Sequence, residues 1–290
     1  MGKDGKLIVN NLNPDRHLIG FGVLGFALLL LSCTDAHHNE KENMKIELSR
    51  EELIELTQAR VYFGHQSVGS NILEGLKEVL QDMNGPQLSF VTLKDSVPPR
   101  GPWFFDEYIG QNSLPLTKCD AFAGRVRRLS DSLDIAVMKF CYVDVTEHTN
   151  VDELFAYYAK TIQGLKKASP RVTFVHSTVP LTQRGEGWKR IVRKIIGRGE
   201  AEDCDNLKRA EFNRLIVQTY KDEPIFDLAA IESTYPDGTR DAFEIDGKTG
   251  YSMVAEYTND GGHLTPLGRQ LAAREMLRTL VQVTRKHLER

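Results

Sequence analysis

Short apolar runs alternate with longer segments of helical periodicity along most of the chain. The apolar runs are rich in β-branched or aromatic residues and occupy 60–64, 88–93, 135–141, 172–176 and 224–228. Such runs are typical of strands buried on both faces of a parallel sheet. The helical patterns occupy 70–81, 122–133, 151–168, 206–220 and 266–288. The alternation predicts an α/β fold, a three-layer αβα arrangement around a doubly wound parallel sheet.

Two long stretches, 94–118 and 232–258, follow neither period. Loops of that length inside a compact domain are usually functional. The first is rich in proline and aromatic residues, among them Pro102, Trp103, Phe104 and Phe105. Two interpretations remain open for them, an apolar wall for a substrate and a loop packed down by its own aromatic side chains.

The chain begins with a basic segment and an apolar run, 18–31, which ends in Leu30-Leu31-Ser32-Cys33. The run is shorter than the roughly 20 residues of a membrane-spanning helix and is typical of a signal peptide. Leu-Leu-Ser-Cys resembles a bacterial lipobox, in which the cysteine is lipidated. We therefore expect a lipoprotein signal peptide over 1–32 and lipidation at Cys33; an uncleaved membrane anchor is the alternative.

The polar segment 33–44 has no apolar periodicity, which predicts a flexible tether, and 45–290 is expected to form a single domain. Both interpretations of the N-terminus place this domain in the cell envelope, held at a membrane by its anchor.

The charge balance argues against a nucleic-acid-binding protein. The 37 Lys and Arg residues face 40 Asp and Glu residues, a net charge of −3. One basic stretch, 189–194, is interleaved with apolar residues and predicts the solvated face of an amphipathic helix, with contact to an anionic glycan or lipid as the alternative.

The cysteines beyond Cys33 are Cys119, Cys141 and Cys204, an odd number without C-x-x-C spacing. This pattern predicts neither a disulfide framework nor a zinc site, although one pair could form in an oxidising compartment. We expect no metal and no cofactor.

A serine, an acid and a base occur in positions suited to nucleophilic catalysis. Ser67 ends the first predicted strand and precedes a helix, whose free N–H groups favour an oxyanion. Asp260 and His263 lie three residues apart at the start of the last helix. Serine needs an imidazole to take its proton, and the imidazole needs a carboxylate to set its tautomer. Ser67, His263 and Asp260 are the predicted nucleophile, base and orienting acid.

These motifs resemble the SGNH (GDSL-type) ester hydrolases, as a divergent branch. Asp260 and His263 match the family's Asp-x-x-His block, while His65-Gln66-Ser67 stands in place of Gly-Asp-Ser, so only Ser67 carries over. The resemblance implies a flavodoxin-like strand order, 2-1-3-4-5. It also implies an oxyanion hole formed by the N–H groups of Ser67 and Gly110. The family's third-block asparagine is absent after the third strand, and Asn112 is a candidate substitute amide.

Four further residues are candidates for binding substrate. Tyr142 and Asp144 follow the third strand, where a ligand binds in such sheets. Asp144 is also a candidate partner for Lys139, a charge in a central strand. His65 and His176 lie at strand ends and face either substrate or the protein interior.

The leading functional prediction is a lipid-anchored serine ester hydrolase without a cofactor. Its expected substrate is a small acyl ester, such as an O-acetyl group on a carbohydrate; a lipid ester is also compatible. A catalytically silent glycan-binding lipoprotein on the same fold, and an acyltransferase that uses the same triad, are the alternatives.

Overall fold

A parallel sheet of six strands forms the centre of the computed structural model, which describes residues 48–92, 99–185 and 199–289. Its strands run in the order β2-β3-β1-β4-β5-β6, and all neighbours are parallel. In chain order they are β1 Arg60–His65, β2 Phe90–Val91, β3 Trp103–Tyr108, β4 Ile135–Met138, β5 Thr173–Ser177 and β6 Ile225–Phe226. The predicted fold class is confirmed.

Helices cover both faces of this sheet. In chain order they are α1 Arg50–Leu56, α2 Ser67–Asp82, α3 Pro115–Leu129, α4 Val151–Ala168, α5 Gly199–Thr219, α6 Leu228–Ser233 and α7 Pro266–Leu288. Helices α1, α2, α6 and α7 contribute to the core on one face, and α3, α4 and α5 to the core on the other. Among the described helices, none combines the length and the apolar character that a membrane span requires.

Side chains alternate between the two cores, as the twofold repeat of a strand requires. In β1, Val61 and Phe63 are buried against the α2 and α7 side, while Tyr62 is buried on the α3 side. The last helix begins as predicted, because the side chain of Thr265 accepts from the N–H of Gly268 and Pro266 occupies the first turn.

The prediction that 94–118 is irregular is wrong for β3, Trp103–Tyr108, and for the start of α3, which begins at Pro115. Trp103, Phe104 and Phe105 are buried in β3, which pairs with β1 and with β2. They are therefore core residues of the sheet and not a loop of either predicted kind. The second half of β3, Asp106 to Tyr108, is polar and carries no apolar period, which hid the strand. β3 is thereby inserted between the first two predicted strands of the 2-1-3-4-5 order.

The stretch 232–258 was also predicted to be irregular, but it contains a hairpin. Strands β7 Ala242–Ile245 and β8 Lys248–Tyr251 pair antiparallel. Asp246 and Gly247 connect them with φ of 50° and 71°, as in a two-residue hairpin turn. The Asp-Gly pair is the sequence signal that would have revealed it. The predictions for 1–44 and for the basic segment 189–194 lie outside the described residues.

Candidate active site

Ser67 is the first residue of α2, directly beyond the carboxyl end of β1. Gln66 precedes it with extended backbone, φ −138° and ψ −165°. Within the described parts of the chain, neither the hydroxyl nor the N–H of Ser67 has a hydrogen-bond partner. The first N–H groups of a helix lack intrahelical acceptors and carry positive partial charge. Ser67 thus offers both a hydroxyl and an amide to a bound group.

Asp260 and His263 form a hydrogen-bonded pair before α7. The Oδ2 of Asp260 lies 2.7 Å from Nδ1 of His263, and its Oδ1 accepts from the backbone N–H of His263 at 2.8 Å and of Gly262 at 3.0 Å. These hydrogen bonds, led by the one from the His263 backbone, hold the pKa of Asp260 well below its usual range. A carboxylate at Nδ1 places the proton on that nitrogen, so Nε2 is left as an acceptor.

The His263 loop is attached to the helix that Ser67 begins. The N–H of Leu264 donates to Oδ1 of Asn71 at 3.2 Å. Asn71 lies four residues after Ser67, and residues with that spacing share one face of a helix. This hydrogen bond brings the Asp260–His263 loop to the side of α2 on which Ser67 lies.

Tyr142 lies against the same loop. Its ring centroid is 6.1 Å from that of His263, in an edge-to-face arrangement. A Cβ on Gly262 would lie 2.9 Å from the Tyr142 ring, so only glycine permits this contact. Burial raises the pKa of Tyr142, as do the nearby Cys141 and Asp260. Tyr142 thus contacts His263, and its contact with substrate stays a prediction.

Gly110 lies in the loop after β3 and is tied to the Ser67 junction. The side chain of Gln66 donates from Nε2 to the carbonyl oxygens of Ile109 at 2.7 Å and Gly110 at 3.3 Å. Gly110 has φ +55°, and a Cβ there would lie 2.5 Å from the backbone nitrogen of Lys118. Glycine is therefore required at this position. The side chain of Gln66, which no sequence motif singles out, fixes the loop beside Ser67.

Asn112 and Asp144 meet at a buried lysine. Lys118 donates from Nζ to Oδ1 of Asn112 at 2.9 Å and to Oδ2 of Asp144. Asp144 also accepts from the N–H groups of Cys141 at 2.6 Å and Ser113 at 3.0 Å. These donors come from the loop after β3, from α3 and from the segment after β4. Asp144 therefore holds these three parts of the chain together.

The candidate partnership of Asp144 with Lys139 is wrong. Lys139 instead donates to the carbonyl oxygen of Phe140 at 2.9 Å. Burial lowers the pKa of Lys139 and raises the pKa of Glu232. Lys139 and Asp144 are close in sequence, but the carboxylate of Asp144 is paired with Lys118 on α3.

Together these contacts form a closed series around the carboxyl edge of the sheet. Gln66 joins the start of α2 to the Gly110 loop, Lys118 joins that loop to Asp144, Tyr142 contacts His263, and Leu264 returns to α2 at Asn71. The series runs through the segments that carry Ser67, Gly110, Asn112, Tyr142, Asp144, Asp260 and His263.

His65 is packed beneath the first turn of α2. Its ring nitrogens lie 2.9 Å from the carbonyl oxygen of Gln66 and 3.1 Å from Oδ2 of Asp106. Its ring stacks on Phe63, and a Cβ on Gly69 would lie 2.3 Å from it. These contacts support the start of α2; a contact with substrate stays a prediction.

His176 lies in a buried aromatic cluster on the α4 and α5 side of the sheet. Its Nδ1 is 2.7 Å from the Tyr158 hydroxyl, its Nε2 is 3.1 Å from Oε2 of Glu223, and its ring stacks 3.6 Å from that of Tyr220. None of these partners belongs to the contact series around Ser67. The structure does not bring His176 together with the other candidate residues.

His176 is expected to make the protein sensitive to acid. Burial lowers its pKa from 6.5 to about 4, against the opposing effect of Glu223. The stability that the neutral ring contributes is therefore complete above pH 6.5 and is lost as pH falls through about 4. The linked loss of unfolding free energy is about 3 kcal/mol at pH 4.

The measurement is urea unfolding of the wild type and of His176→Gln at pH 7 and pH 4. The wild type should exceed His176→Gln in unfolding free energy by less at pH 4 than at pH 7. His148→Gln is the control, because that side chain is 87% exposed. An advantage of the wild type over His176→Gln that is equal at the two pH values would contradict the expectation.

Among the described residues, no group of three or more His, Cys, Asp or Glu side chains is placed to hold a metal ion. The thiols of Cys119 and Cys141 are both buried and unpaired, and burial raises the pKa of Cys119 to about 12.

No protein-family model matches the chain, and no curated protein matches its sequence. The chain is similar to several solved structures, all at low sequence identity. A carbohydrate esterase family 3 protein from Talaromyces cellulolyticus is 15% identical with a TM-score of 0.45, covering 78% of this chain and 97% of its own. A lipase/acylhydrolase from Enterococcus faecalis is 11% identical with a TM-score of 0.45, covering 77% and 96%.

A candidate lipolytic protein of the G-D-S-L family from Desulfitobacterium hafniense DCB-2 is also similar. It is 11% identical with a TM-score of 0.40, covering 77% of this chain and 99% of its own.

Proposed function

We propose that the protein is a serine ester hydrolase in which Ser67, His263 and Asp260 form the catalytic triad. One observation carries the proposal: the Asp260–His263 pair is hydrogen-bonded through Leu264 to Asn71, on the face of the helix that Ser67 begins. A serine at a helix start, an imidazole and a carboxylate that orients the imidazole are the groups that nucleophilic acyl transfer needs.

In the proposed reaction, Nε2 of His263 takes the proton of the Ser67 hydroxyl as Oγ attacks the acyl carbon. The oxyanion accepts hydrogen bonds from the N–H groups of Ser67 and Gly110 and from the amide of Asn112. The C–O bond then breaks, and the alcohol leaves with the proton from His263. Water attacks the acyl-enzyme by the same route, releasing the acid and restoring Ser67. Asp260, kept ionised by its hydrogen bonds, stabilises the imidazolium.

The proposed substrate is a small acyl ester on a bulky carrier, such as an O-acetyl group on a carbohydrate. The side chains of His263 and Asp260 are 40% and 57% exposed, so a polymer-borne ester reaches the base from solvent.

The proposal is tested by reaction with a fluorophosphonate and by hydrolysis of an aryl acetate. The wild type should be labelled at Ser67 and should turn over the ester, and Ser67→Ala should do neither. Ser70→Ala is the matched control, because Ser70 lies in the same helical turn and its hydroxyl contacts that of Tyr108. Glycan binding without labelling or turnover would contradict the hydrolase proposal and favour a catalytically silent glycan-binding protein.

A separate prediction concerns Asn112 as a donor in the proposed oxyanion hole. Asn112→Ala is expected to lower kcat for the aryl acetate by about 10²-fold or more, because one oxyanion donor is lost. The urea unfolding midpoint should fall only modestly, because Asn112 is exposed and the buried Lys118 keeps Asp144 as its partner. Turnover at the wild-type rate would assign Asn112 a role in the loop alone.

We also propose that Cys33 anchors the protein in the cell envelope as a lipoprotein, on the basis of Leu30-Leu31-Ser32-Cys33. Cys33→Ala should release the protein from the membrane fraction or leave an unprocessed precursor. Mass spectrometry of the mature wild type should show acyl chains on Cys33, and a mature protein that begins at an unmodified Cys33 would refute the anchor.

A further inference from the structure

Lys118 is buried where a sequence reading would expect a surface lysine, in the first turns of α3. Its side chain and that of Asp144 are both 0% exposed. Removing two charges from water is costly unless the pair is closely hydrogen-bonded. The pair therefore needs a role. Lys118 also donates to Asn112, which lies in the loop beside Ser67.

The chemistry of the lysine determines how the Asn112 amide is turned. An ammonium group has three donors and no acceptor, so the Asn112 atom that faces it must be the oxygen. The observed contact is between Nζ and Oδ1, at 2.9 Å. Oδ1 is thereby held, and the amide NH₂ is directed away from Lys118. Within the described residues, this NH₂ has no hydrogen-bond partner.

The lysine is itself held in place by Asp144, which also accepts the N–H of Ser113, the residue after Asn112. Ser113 has a φ of +64°, a turn conformation that few non-glycine residues adopt. Asp144 thus fixes both the ammonium group and the backbone that carries Asn112. On the other side, Gln66 fixes the same loop to the start of α2.

We propose that Lys118, held by Asp144, is a positioning residue that orients the Asn112 amide so that its NH₂ donates to the oxyanion. This inference rests on the proposed ester hydrolase function. It identifies what performs the work of the asparagine that is absent after β4. Lys118 acts through Asn112 and does not touch the ester.

Asn112→Asp provides the sharpest test, because aspartate keeps an oxygen for Lys118 and removes the NH₂ donor. With aryl acetate as substrate, kcat should fall by about 10²-fold or more while KM changes little. The unfolding midpoint should change little, because the contact with Lys118 gains an opposite charge while Asp144, on the same ammonium group, repels the new carboxylate. If Asn112 serves only as an acceptor for Lys118, Asn112→Asp will keep the wild-type kcat, which would overturn the proposal.

The role of Lys118 is tested with Lys118→Met combined with Asp144→Asn, which removes both buried charges and leaves no carboxylate uncompensated. This double variant should lower kcat by about 10-fold or more. Adding Asn112→Ala to it should cost far less than the roughly 10²-fold that Asn112→Ala costs alone, because the donor is already misplaced. The full additional loss would show that Asn112 is oriented without Lys118 and would refute the proposal.

Lys166→Met is the control, since Lys166 pairs with Glu223 beside the His176 cluster. It should keep the wild-type kcat. Failure of the proposed function looks different from failure of this inference: a wild type that is neither labelled by a fluorophosphonate nor active on the aryl acetate refutes both. An active wild type with an active Asn112→Asp variant refutes only the positioning role.

Discussion

Replacing Ser67 or His263 by alanine is expected to remove nearly all esterase turnover, a loss of about 10⁶-fold in kcat for a triad of this type. The hydroxyl of Ser67 is a poor nucleophile until His263 takes its proton, and His263 has nothing to activate without Ser67. The double variant should therefore cost little more than either single variant. Steady-state hydrolysis of an aryl acetate by the three purified variants measures this.

Asp260→Asn should be milder, with a loss of about 10⁴-fold, because the imidazole remains but its tautomer is no longer imposed. In the wild type, only a neutral imidazole accepts the proton of serine. Asp260 stays ionised throughout, because its hydrogen bonds lower its pKa. Circular dichroism should show each variant folded. Losses from Ser67→Ala and His263→Ala that multiply in the double variant would contradict a single catalytic unit.

Much of the fold was predictable because its signals are local. The bounds of α4 and α7 were predicted as observed, since each helix has a capping side chain, Asn150 and Thr265, and a long apolar period. β3 was missed because only its first half is apolar. The polar second half is stabilised by contacts distant in sequence, such as that of Glu107 with the Tyr62 hydroxyl.

The candidate site likewise contains residues that local sequence signals reveal and residues whose contacts depend on the fold. Ser67, Asp260 and His263 stand at element boundaries that a reader of the sequence can recognise. Lys118 and Asp144 are 26 residues apart, and their pairing depends on how α3 meets the loop after β4. Asn71 was overlooked as well, although its spacing of four residues from Ser67 marks it as a neighbour on one helical face.

Gly75 is expected to control the spacing of the two helices that carry the triad, and Gly75→Ala should damage both stability and activity. A Cβ at Gly75 would lie 2.4 Å from the backbone oxygen of Arg269 on α7. That is about 1 Å closer than ordinary contact, and a backbone atom cannot turn away as a side chain can. α2 and α7 must therefore separate or tilt.

Overpacking of this kind costs about 1–3 kcal/mol of unfolding free energy, which outweighs the gain of roughly 1 kcal/mol that alanine brings to a helix. Ser67 begins α2 and His263 immediately precedes α7, so the same shift moves the nucleophile from the base. A misplacement of about 1 Å can lower kcat by about 10²-fold.

Gly164→Ala is the matched control, because Gly164 lies within α4 and a Cβ there would meet nothing within 4 Å. That variant should gain about 0.5–1 kcal/mol from helix propensity alone and keep the wild-type kcat. Urea unfolding and aryl acetate hydrolysis of the two variants separate the effects. If Gly75→Ala gained stability as Gly164→Ala does, α2 and α7 would not be in the close contact that the backbone of Arg269 defines. The approach of His263 to Ser67 would then depend on the Leu264–Asn71 hydrogen bond, without help from the packing of the two helices.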